Sequence, residues 1–394
     1  MELREPDRNG YDVVVVGARC AGAATALLLA RRGLRVLVAE QDRPGSDTLS
    51  THALMRGGVL QLARWGVLPA LLEAGTPPLV RTAFHYGDAV VDLPIKSREG
   101  VDALYAPRRF VLDAVLAGAA RAAGAEVIYG ARVLDLSKDS EGRVRGVVLL
   151  QGPRRVVRVE SGLVVGADGA SSRVARAAGA EAYRTGSHRS GVVYGYWSGL
   201  PGGSNEWYFG HGTSGGAIST NDGLACVFSS VPAERFERET RRDLALGLRR
   251  ILAECAPELL EAVNAGRIRG GLRGFGGRVG YLRRAWGPGW ALVGDAGYFK
   301  DPITAHGITD ALRDAELLAR AFVERGEPGL ADYQAERDAL ALPLFQITDE
   351  IASYAWSLER VQELHLALSR EMNREFAAMV DLHRKPAPPL RRSA

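Results

Sequence analysis

A glycine-rich turn near the amino terminus carries the first chemical signal. The β-branched run 13–16 predicts a buried strand, and the six residues GARCAG follow it, from Gly17 to Gly22. In a G-x-G-x-x-G turn before a helix, the outer glycines allow a tight turn and close packing of helix on strand, and free N–H groups can hold a pyrophosphate. Arg19 stands in place of the middle glycine and adds a positive charge there.

An acidic residue at the end of the next predicted strand supports this interpretation. Glu40 follows Gly22 by 18 residues, and a carboxylate at this spacing can accept hydrogen bonds from both ribose hydroxyls of an adenosine. Its charge disfavours a 2′-phosphate at the same place. The turn and the acid together predict a site for FAD or NAD, and not for NADP.

Two aspartates come directly after further apolar runs of strand character. Asp168-Gly169 follows residues 163–165, and Gly294-Asp295 follows residues 291–293. Aspartate favours turns, and a carboxylate in such a turn can accept a hydrogen bond from a polyol hydroxyl. The order of these motifs along the chain predicts that they serve one site.

A loop leads from the second aspartate into a predicted helix at 307–324. Pro302 fixes one backbone angle and Gly307 frees another, so the chain can turn sharply before the helix begins. The unpaired N–H groups of the helix start are predicted to favour negative charge. His306 is a candidate proton relay or substrate contact, whereas Lys300-Asp301 is predicted to be a solvated turn.

These residues need a sheet that brings them together. A strand, an Ala- and Leu-rich helix and a second strand within about 30 residues form a βαβ unit, which implies a parallel sheet. Residues 188–230 alternate aromatic and polar side chains, which is typical of antiparallel strands. Residues 236–263 and 331–383 have helical patterns. The predicted class is α/β, with a Rossmann-like domain, an inserted and mostly antiparallel β-sheet substrate domain, and a helical C-terminal segment. The turn and Glu40 assign FAD or NAD to the first domain, and the family resemblance given below implies FAD, so it is called the FAD-binding domain.

The ligand site is predicted to lie between the two domains. The FAD-binding domain is assigned residues 1–85, 100–180 and 276–330, the substrate domain 86–99 and 181–275, and the helical segment 331–394. Ligands of doubly wound folds bind outside the carboxyl ends of the parallel strands. Aromatic residues of the inserted sheet are therefore predicted to line an apolar substrate pocket; the candidates are Tyr194, Tyr196, Trp207, Tyr208 and Phe209.

Composition argues against several other classes. The 394 residues carry 50 Lys and Arg against 46 Asp and Glu, a net charge of +4 without long basic runs, so no nucleic-acid partner is predicted. The three cysteines are far apart, and neither a disulfide framework nor a metal site is predicted. The charged N-terminus and the lack of a long uncharged apolar run predict a cytoplasmic protein without integral membrane association, as a monomer or a homodimer.

Over residues 12 to about 331, the motifs resemble those of FAD-dependent aromatic hydroxylases of the para-hydroxybenzoate hydroxylase type. The wider superfamily includes geranylgeranyl reductases and flavin-dependent halogenases. Leu54-Met-Arg56-Gly-Gly-Val-Leu60 is similar to the segment whose arginine reaches the FAD pyrophosphate, and Arg109-Phe-Val-Leu112 to the R-x-x-L helix. Asp168-Gly169 looks like the DG motif, implicated in FAD and nicotinamide binding, and Gly294-Asp295 like the GD motif. Pro302 to Gly307 resembles the P-x-x-G-x-G loop beside the flavin, with Ala305 in place of its first glycine.

The resemblance and the turn together imply non-covalent FAD. The predicted cofactor-binding residues are Gly17, Arg19, Cys20, Ala21, Gly22, Glu40, Gln41, Arg56, Arg109, Val133, Asp168, Gly169, Gly294, Asp295, Pro302, Ala305, Gly307 and Ile308. His306 and Gly307 are the predicted catalytic positions.

The resemblance also implies a reaction. NAD(P)H reduces the flavin, O2 adds at flavin C4a, and the resulting hydroperoxide gives an oxygen atom to an apolar or aromatic small molecule by hydroxylation or epoxidation. Three alternatives stay open at this point: a geranylgeranyl-reductase-like enzyme, a halogenase-like enzyme, and an FAD-binding protein that guides a redox-neutral cyclisation. The halogenase pattern WxWxIP is absent, since residues 286–290 read WGPGW.

Overall fold

Residues 10–50 and 52–384 are described by a computed structural model of the chain. The predicted domain limits at residues 1 and 394 lie outside these ranges. The strands are β1 (Tyr11–Val16), β2 (Val36–Glu40), β3 (Pro78–Leu79), β4 (Arg81–Tyr86), β5 (Ala89–Pro94), β6 (Leu104–Tyr105), β7 (Glu126–Tyr129), β8 (Ala131–Lys138), β9 (Val144–Gln151), β10 (Arg155–Gly166), β11 (Ala182–Thr185), β12 (Ser190–Ser198), β13 (Ser204–Gly210), β14 (Thr213–Thr220), β15 (Leu224–Pro232), β16 (Arg267–Phe275), β17 (Tyr281–Arg283), β18 (Trp286–Gly287), β19 (Trp290–Leu292) and β20 (Tyr298–Phe299). The helices are α1 (Cys20–Ala30), α2 (Arg56–Arg64), α3 (Leu68–Glu73), α4 (Arg109–Ala122), α5 (Arg173–Ala178), α6 (Ala233–Glu239), α7 (Leu244–Cys255), α8 (Pro257–Ala265), α9 (Gly307–Arg325), α10 (Leu330–Ile351) and α11 (Leu358–Arg384).

The first sheet is mostly parallel. Its order is β18-β19-β10-β1-β2-β7, and β1, β2, β7, β10 and β19 run in the same direction. Val13 and Val15 pack with α1, α4 and α9 on one face, and Val14 packs with β8, β9 and α5 on the other. A strand buried on both faces needs apolar side chains at every position, which the run 13–16 supplies. The predicted α/β class is confirmed.

The second sheet is built mainly from antiparallel strands. Its order is β16-β12-β15-β14-β13-β4-β5, and all pairs except β13 with β4 are antiparallel. The predicted domain boundary between residues 85 and 86 falls inside β4, so the chain enters this sheet at Arg81. Helices α6, α7 and α8 cover one face, and residues from α10 and α11 pack on the other.

Two predictions about local structure are wrong. The helix expected over residues 236–263 is three helices, because Asp243 caps α7 by accepting a hydrogen bond from Leu246 N at 2.9 Å, and Pro257 opens α8. Lys300 and Asp301 do not form a solvated turn; they are 6% and 3% exposed. Their burial follows from partners that lie far away in the sequence and are described below.

The C-terminal helices tie the two sheets together. Helix α9 packs against α1 beside the first sheet, and α10 packs against both α9 and α11. The connection between α10 and α11 places Tyr354 and Trp356 on the second sheet. Within the described ranges, no helix combines the length and the apolar composition that crossing a bilayer requires.

Candidate active site

The turn after β1 has a shape that only glycine allows. Gly17 has φ +105°, and a Cβ on it would lie 2.5 Å from the carbonyl oxygen of Ala167. A Cβ on Gly22 would lie 1.9 Å from the carbonyl oxygen of Gly17. Helix α1 therefore begins directly against the ends of β1 and β10. Because no side chain of the described residues caps α1, its first N–H groups are available to an anion.

Glu40 is fixed beside this turn. Its Oε2 accepts a hydrogen bond from Ala18 N at 2.7 Å, and its Oε1 accepts one from Asp42 N at 2.9 Å. An ionised carboxylate has about four acceptor positions, so two remain for a ligand. The buried end of β2 thus presents an oriented acceptor next to the anion-binding turn, as the spacing predicts.

Two arginines lie near the turn, and they differ in how fully their guanidinium groups are paired with acceptors. Arg19 is shared between Asp42 at 2.9 Å and Asp113 at 3.3 Å. Arg109, the first residue of α4, pairs with Asp113 at 3.2 Å, and its Nε is buried without a hydrogen-bond partner among the described residues. A buried donor without a partner is costly, so Arg109 has capacity left for a ligand.

Asp295 provides a second acceptor on the opposite side. It follows β19, and its carboxylate accepts no hydrogen bond from the described residues. Tyr281 OH is shared between the backbone carbonyls of Asp295 at 2.6 Å and Ala170 at 3.1 Å. Burial raises the pKa of Asp295 to about 6, although Arg109 acts in the opposite direction. Such a group gains from a ligand hydroxyl that donates to it.

These groups surround one cavity of about 740 Å³ at the carboxyl ends of the parallel strands. That volume lies within the usual range for cofactor sites. The predicted cofactor residues that line it are Gly17, Arg19, Cys20, Ala21, Glu40, Gln41, Arg109, Val133, Asp168, Gly169, Asp295, Pro302, Ala305, Gly307 and Ile308. Gly22 and Gly294 lie behind the wall, where they allow α1 and α9 to approach: a Cβ on Gly294 would meet Ala21 Cβ at 3.0 Å.

Arg56 and His306 are not among the lining residues. The guanidinium of Arg56 donates to the carbonyl oxygen of Val101 at 2.9 Å. His306 is 1% exposed, and its Nε2 lies 2.6 Å from Glu375 Oε2 on α11. The structure thus gives both side chains protein partners in place of contacts with the cavity.

The loop before α9 has a different backbone from the one predicted. Its left-handed residue is Ala305, with φ +49°, and Gly307 has no positive φ. A Cβ on Gly307 would meet no atom within 4 Å. Gly307 is therefore not needed for the turn, and its place in the wall leaves space in the cavity. Asp301 holds the loop, because its carboxylate accepts hydrogen bonds from Ser190 N at 2.7 Å and from Ile303 N at 3.0 Å.

Asp168 has a structural task in addition to its place in the wall. Its Oδ2 accepts hydrogen bonds from Arg173 N at 2.6 Å and from Val174 N at 3.3 Å, at the start of α5. Ser172 donates to its Oδ1 at 2.5 Å. The Asp-Gly pair thus shapes the rim of the cavity by starting a helix.

The predicted aromatic wall is only partly present. Tyr194 lines the cavity, whereas Tyr196, Trp207 and Phe209 lie in the core between the second sheet and the C-terminal helices. Tyr208 points to the opposite face and stacks on His85 with ring centroids 4.1 Å apart. Strand alternation alone separates Tyr208 from its two neighbours, so this part could have been predicted.

Several residues at this end of the cavity were not predicted. Val192, Phe275 and Phe299 supply apolar surface next to Tyr194. His52 lines the wall with φ +50°, and its Nε2 lies 2.6 Å from Tyr196 OH. Burial, with Arg108 as the next cause, lowers the pKa of His52 to about 3, so the ring is neutral at physiological pH. A positive φ at a histidine has no sequence signature.

Comparisons with known proteins bear on the cofactor. A family model described as an FAD binding domain matches residues 10–348. Digeranylgeranylglycerophospholipid reductase 2 from Methanothermobacter thermautotrophicus is 32% identical over 336 residues, which cover 82% of this chain and 80% of that relative. Squalene epoxidase erg1 from Schizosaccharomyces pombe is 24% identical over 344 residues, which cover 82% of this chain and 71% of that relative.

A solved structure agrees with these matches. PqsL from Pseudomonas aeruginosa, a probable FAD-dependent monooxygenase, is similar with a TM-score of 0.73 and 25% identity, over 95% of this chain and 100% of that one. The resemblance predicted from the motifs is confirmed by the family match. The chain therefore belongs to the family of proteins with this FAD-binding domain, in the superfamily that includes monooxygenases and reductases, and it is a flavin-dependent oxidoreductase.

Proposed function

We propose that the protein is an FAD-dependent monooxygenase that hydroxylates or epoxidises an apolar or aromatic small molecule, with NAD(P)H as electron donor. The observation that carries the proposal is the continuity of the cavity. It extends from the glycine turn at Gly17 to the apolar surface of Tyr194 on the second sheet. A cofactor at one end and an apolar compound at the other would share one enclosed space.

The residues at the nucleotide end fit the parts of FAD. The free N–H groups of α1 and the guanidinium of Arg109 suit a pyrophosphate, and Glu40 suits an adenosine ribose. The carboxylate of Asp295 suits a hydroxyl of the ribityl chain. When bound, FAD would supply the electron transfer and the activation of O2, chemistry that amino-acid side chains do not provide.

The far end of the cavity fits an apolar compound. Val192, Tyr194, Phe275 and Phe299 contribute apolar surface to the cavity, and the exposed Leu49 also lines it. Gly307 and Ile308, the first residues of α9, line the same cavity, and the start of that helix would favour negative charge near the reacting centre.

A second candidate function has support from the relatives. The relative at 32% identity is named a reductase, and other matches are named menaquinone reductase. An enzyme of that kind would add hydrogen to a double bond without consuming O2. The same cavity could serve it, since the apolar wall and the cofactor end are shared requirements.

Isotope-labelled O2 separates the candidates. The purified holoprotein is mixed with NADH or NADPH and a panel of phenols, quinones and polyenes. We expect an accepted compound to increase O2 consumption and to yield a product with one labelled oxygen atom. A product that forms without O2 and has gained two hydrogen atoms would establish the reductase. A product that forms without oxidation of NAD(P)H would indicate a redox-neutral reaction and overturn both.

A further inference from the structure

A cluster of buried charged side chains lies directly behind one wall of the cavity. Its members are Lys300, His306, Asp310, Arg313, Asp314 and Glu375, and none is more than 6% exposed. Arg313 Nη1 donates to Asp310 Oδ1 at 2.7 Å and to Glu375 Oε1 at 2.6 Å, and its Nη2 donates to Asp314 at 2.7 Å. Lys300 Nζ donates to the second oxygen of Asp310.

The cluster does not have the charge arrangement of a metal site. His306, Asp310 and Glu375 are close enough to contact one cation. However, the guanidinium of Arg313 already lies between the two carboxylates, and Lys300 neutralises the free side of Asp310. The positive charge that a metal would bring is thus supplied by the protein.

Stability alone does not account for such a cluster. Removing charges from water costs several kcal/mol per ion, on the order of what their mutual attraction returns, and apolar side chains would fill the space as well. One of the six members, Lys300, reaches the wall of the cavity. The side chain of Lys300 is only 3% exposed, so its ammonium group lies just beneath the cavity surface, close enough to act on the carboxylate of Asp295.

The ammonium of Lys300 has one hydrogen-bond acceptor among the described residues. It can donate three hydrogen bonds, and Asp310 accepts one of them. Burial lowers the pKa of Lys300, while the adjacent Asp310 favours the charged form. The other groups that act on it include Arg313 on α9, Glu375 on α11, the carboxylate of Asp295 and the ring of Tyr298, whose centroid is 5.1 Å from Nζ.

We propose that Lys300 is an electrostatic residue of the site, held by Asp310 at the cavity wall so that its positive charge stabilises the reduced, anionic state of the bound FAD. A fixed cation in a partly dehydrated cavity interacts more strongly with a new negative charge than solvent-screened charges do. Glu375 belongs to α11, beyond residue 348 where the family match ends, so the cluster includes a part of the chain outside that match. The inference rests on the proposed placement of FAD in this cavity, which flavin content tests separately.

The proposal is tested with two substitutions that change the charge of the cluster in opposite directions. Lys300→Met removes the cation and keeps the side-chain length, whereas Asp310→Asn removes the partner carboxylate and leaves Arg313 paired with Asp314 and Glu375. The midpoint potential of the bound flavin is measured against a redox dye, without substrate and without O2. We expect Lys300→Met to reduce the preference for reduced over oxidised FAD about tenfold, which corresponds to about 30 mV lower potential for a two-electron couple. Asp310→Asn should shift the potential upward.

The controls separate charge from folding. Lys138→Met removes an exposed cation on β8, whose Nζ donates to Ala177 O at 2.8 Å, and should leave the potential unchanged. Lys300→Arg keeps the charge and should stay near the wild-type potential. If Lys300→Met does not retain flavin, the Asp310→Asn variant tests the proposal by itself. An upward shift of its midpoint potential supports the role of Lys300, and a downward shift overturns it. Unchanged potentials, or shifts of the same sign in Lys300→Met and Asp310→Asn, would overturn the role of Lys300 and leave the monooxygenase proposal untouched.

Discussion

The two ends of the cavity are built in different ways. At the nucleotide end, short segments act through their own backbone geometry: Gly17 and Gly22 shape the turn, and Glu40 is fixed by Ala18 N. At the far end, the wall comes from side chains far apart in the chain, such as Tyr194 and Phe299. The first end can be recognised from spacing, whereas the second depends on how separate elements pack.

The C-terminal segment explains why the far end was difficult to predict. Phe209 was expected in the pocket, but its ring packs against Trp356 with centroids 6.3 Å apart and against His365 at 4.4 Å. Tyr354 OH lies 2.7 Å from Ser230 Oγ on the same sheet. Alternation along a strand predicts which side chains share a face, and it does not predict what covers that face.

The largest effect is expected at the nucleotide end, from Gly22→Ala. The new Cβ would lie 1.9 Å from Gly17 O, so α1 would have to move away from the turn. We expect FAD content after purification to fall more than tenfold. Gly118→Ala in α4 is the matched control, because its Cβ meets no atom within 4 Å. That control should keep full FAD and gain up to about 1 kcal/mol of stability. Full flavin occupancy in Gly22→Ala would show that FAD binding does not depend on the geometry of the glycine turn.

At the far end, the next largest effect is expected from Phe209→Ala. Truncating a buried phenylalanine costs about 3–5 kcal/mol, and Phe209 is 3% exposed. Chemical denaturation should show this loss, while FAD content and substrate preference stay as in the wild type.

Tyr194→Phe is compared with Phe209→Ala, because Tyr194 lines the cavity and Phe209 does not. Its hydroxyl accepts a hydrogen bond from Ser50 N at 3.1 Å and donates a longer one to Thr48 O at 3.5 Å; loss of one hydrogen bond costs about 1 kcal/mol, less than the truncation of Phe209. Tyr194→Phe should therefore change substrate preference with little change in stability. A changed substrate preference in Phe209→Ala, with none in Tyr194→Phe, would place the substrate on the other part of the sheet.

The sequence was informative wherever one local rule determines the structure. The strand at 13–16 and the helix at 307–324 were both predicted, because period and turn residues agree there. The prediction for Lys300 was wrong. Lys300 was expected to be solvated, because its partner Asp310 is not a sequence neighbour and lies on α9. At His306 the local pattern did not indicate the partner Glu375, which is 69 residues distant. Such contacts depend on tertiary packing, and nothing in the local pattern indicates them.

A pH-dependent test examines Asp295, the buried acceptor in the wall of the cavity. Burial raises the pKa of Asp295 to about 6 from an unfolded value near about 3.9, so ionisation opposes folding as the pH rises through this interval. Without FAD, Asp295→Asn should be more stable than the wild type at pH 7.5. The difference between the folded and unfolded pKa values sets an upper limit of about 3 kcal/mol, because the cavity admits some water. The difference should disappear as the pH falls from 6 to 4.

The same substitution should weaken FAD binding, since an amide oxygen accepts more weakly than a carboxylate. The unfolding free energy of the apoprotein and the FAD dissociation constant are measured across this pH range. Asp88→Asn, an exposed carboxylate in the turn after β4, is the control and should change neither quantity. Equal stability of Asp295→Asn and wild type at pH 7.5 would show that Asp295 is not strained by burial.

The smallest effect on the cofactor is expected from Arg56→Ala, compared with Arg109→Ala. The family resemblance implies that Arg56 reaches the FAD pyrophosphate, but its guanidinium donates to Val101 O and lies outside the cavity wall. Arg109 lines the cavity with a buried Nε that has no partner among the described residues. Because a hydrogen bond to a charged group contributes about 1.5–3 kcal/mol, Arg109→Ala should weaken FAD binding at least tenfold. Arg56→Ala should weaken it less than twofold when FAD is titrated into the two apoproteins. If both variants lose affinity equally, Arg56 turns toward the cofactor on binding, and the nucleotide end is then less preformed than its turn and its fixed glutamate indicate.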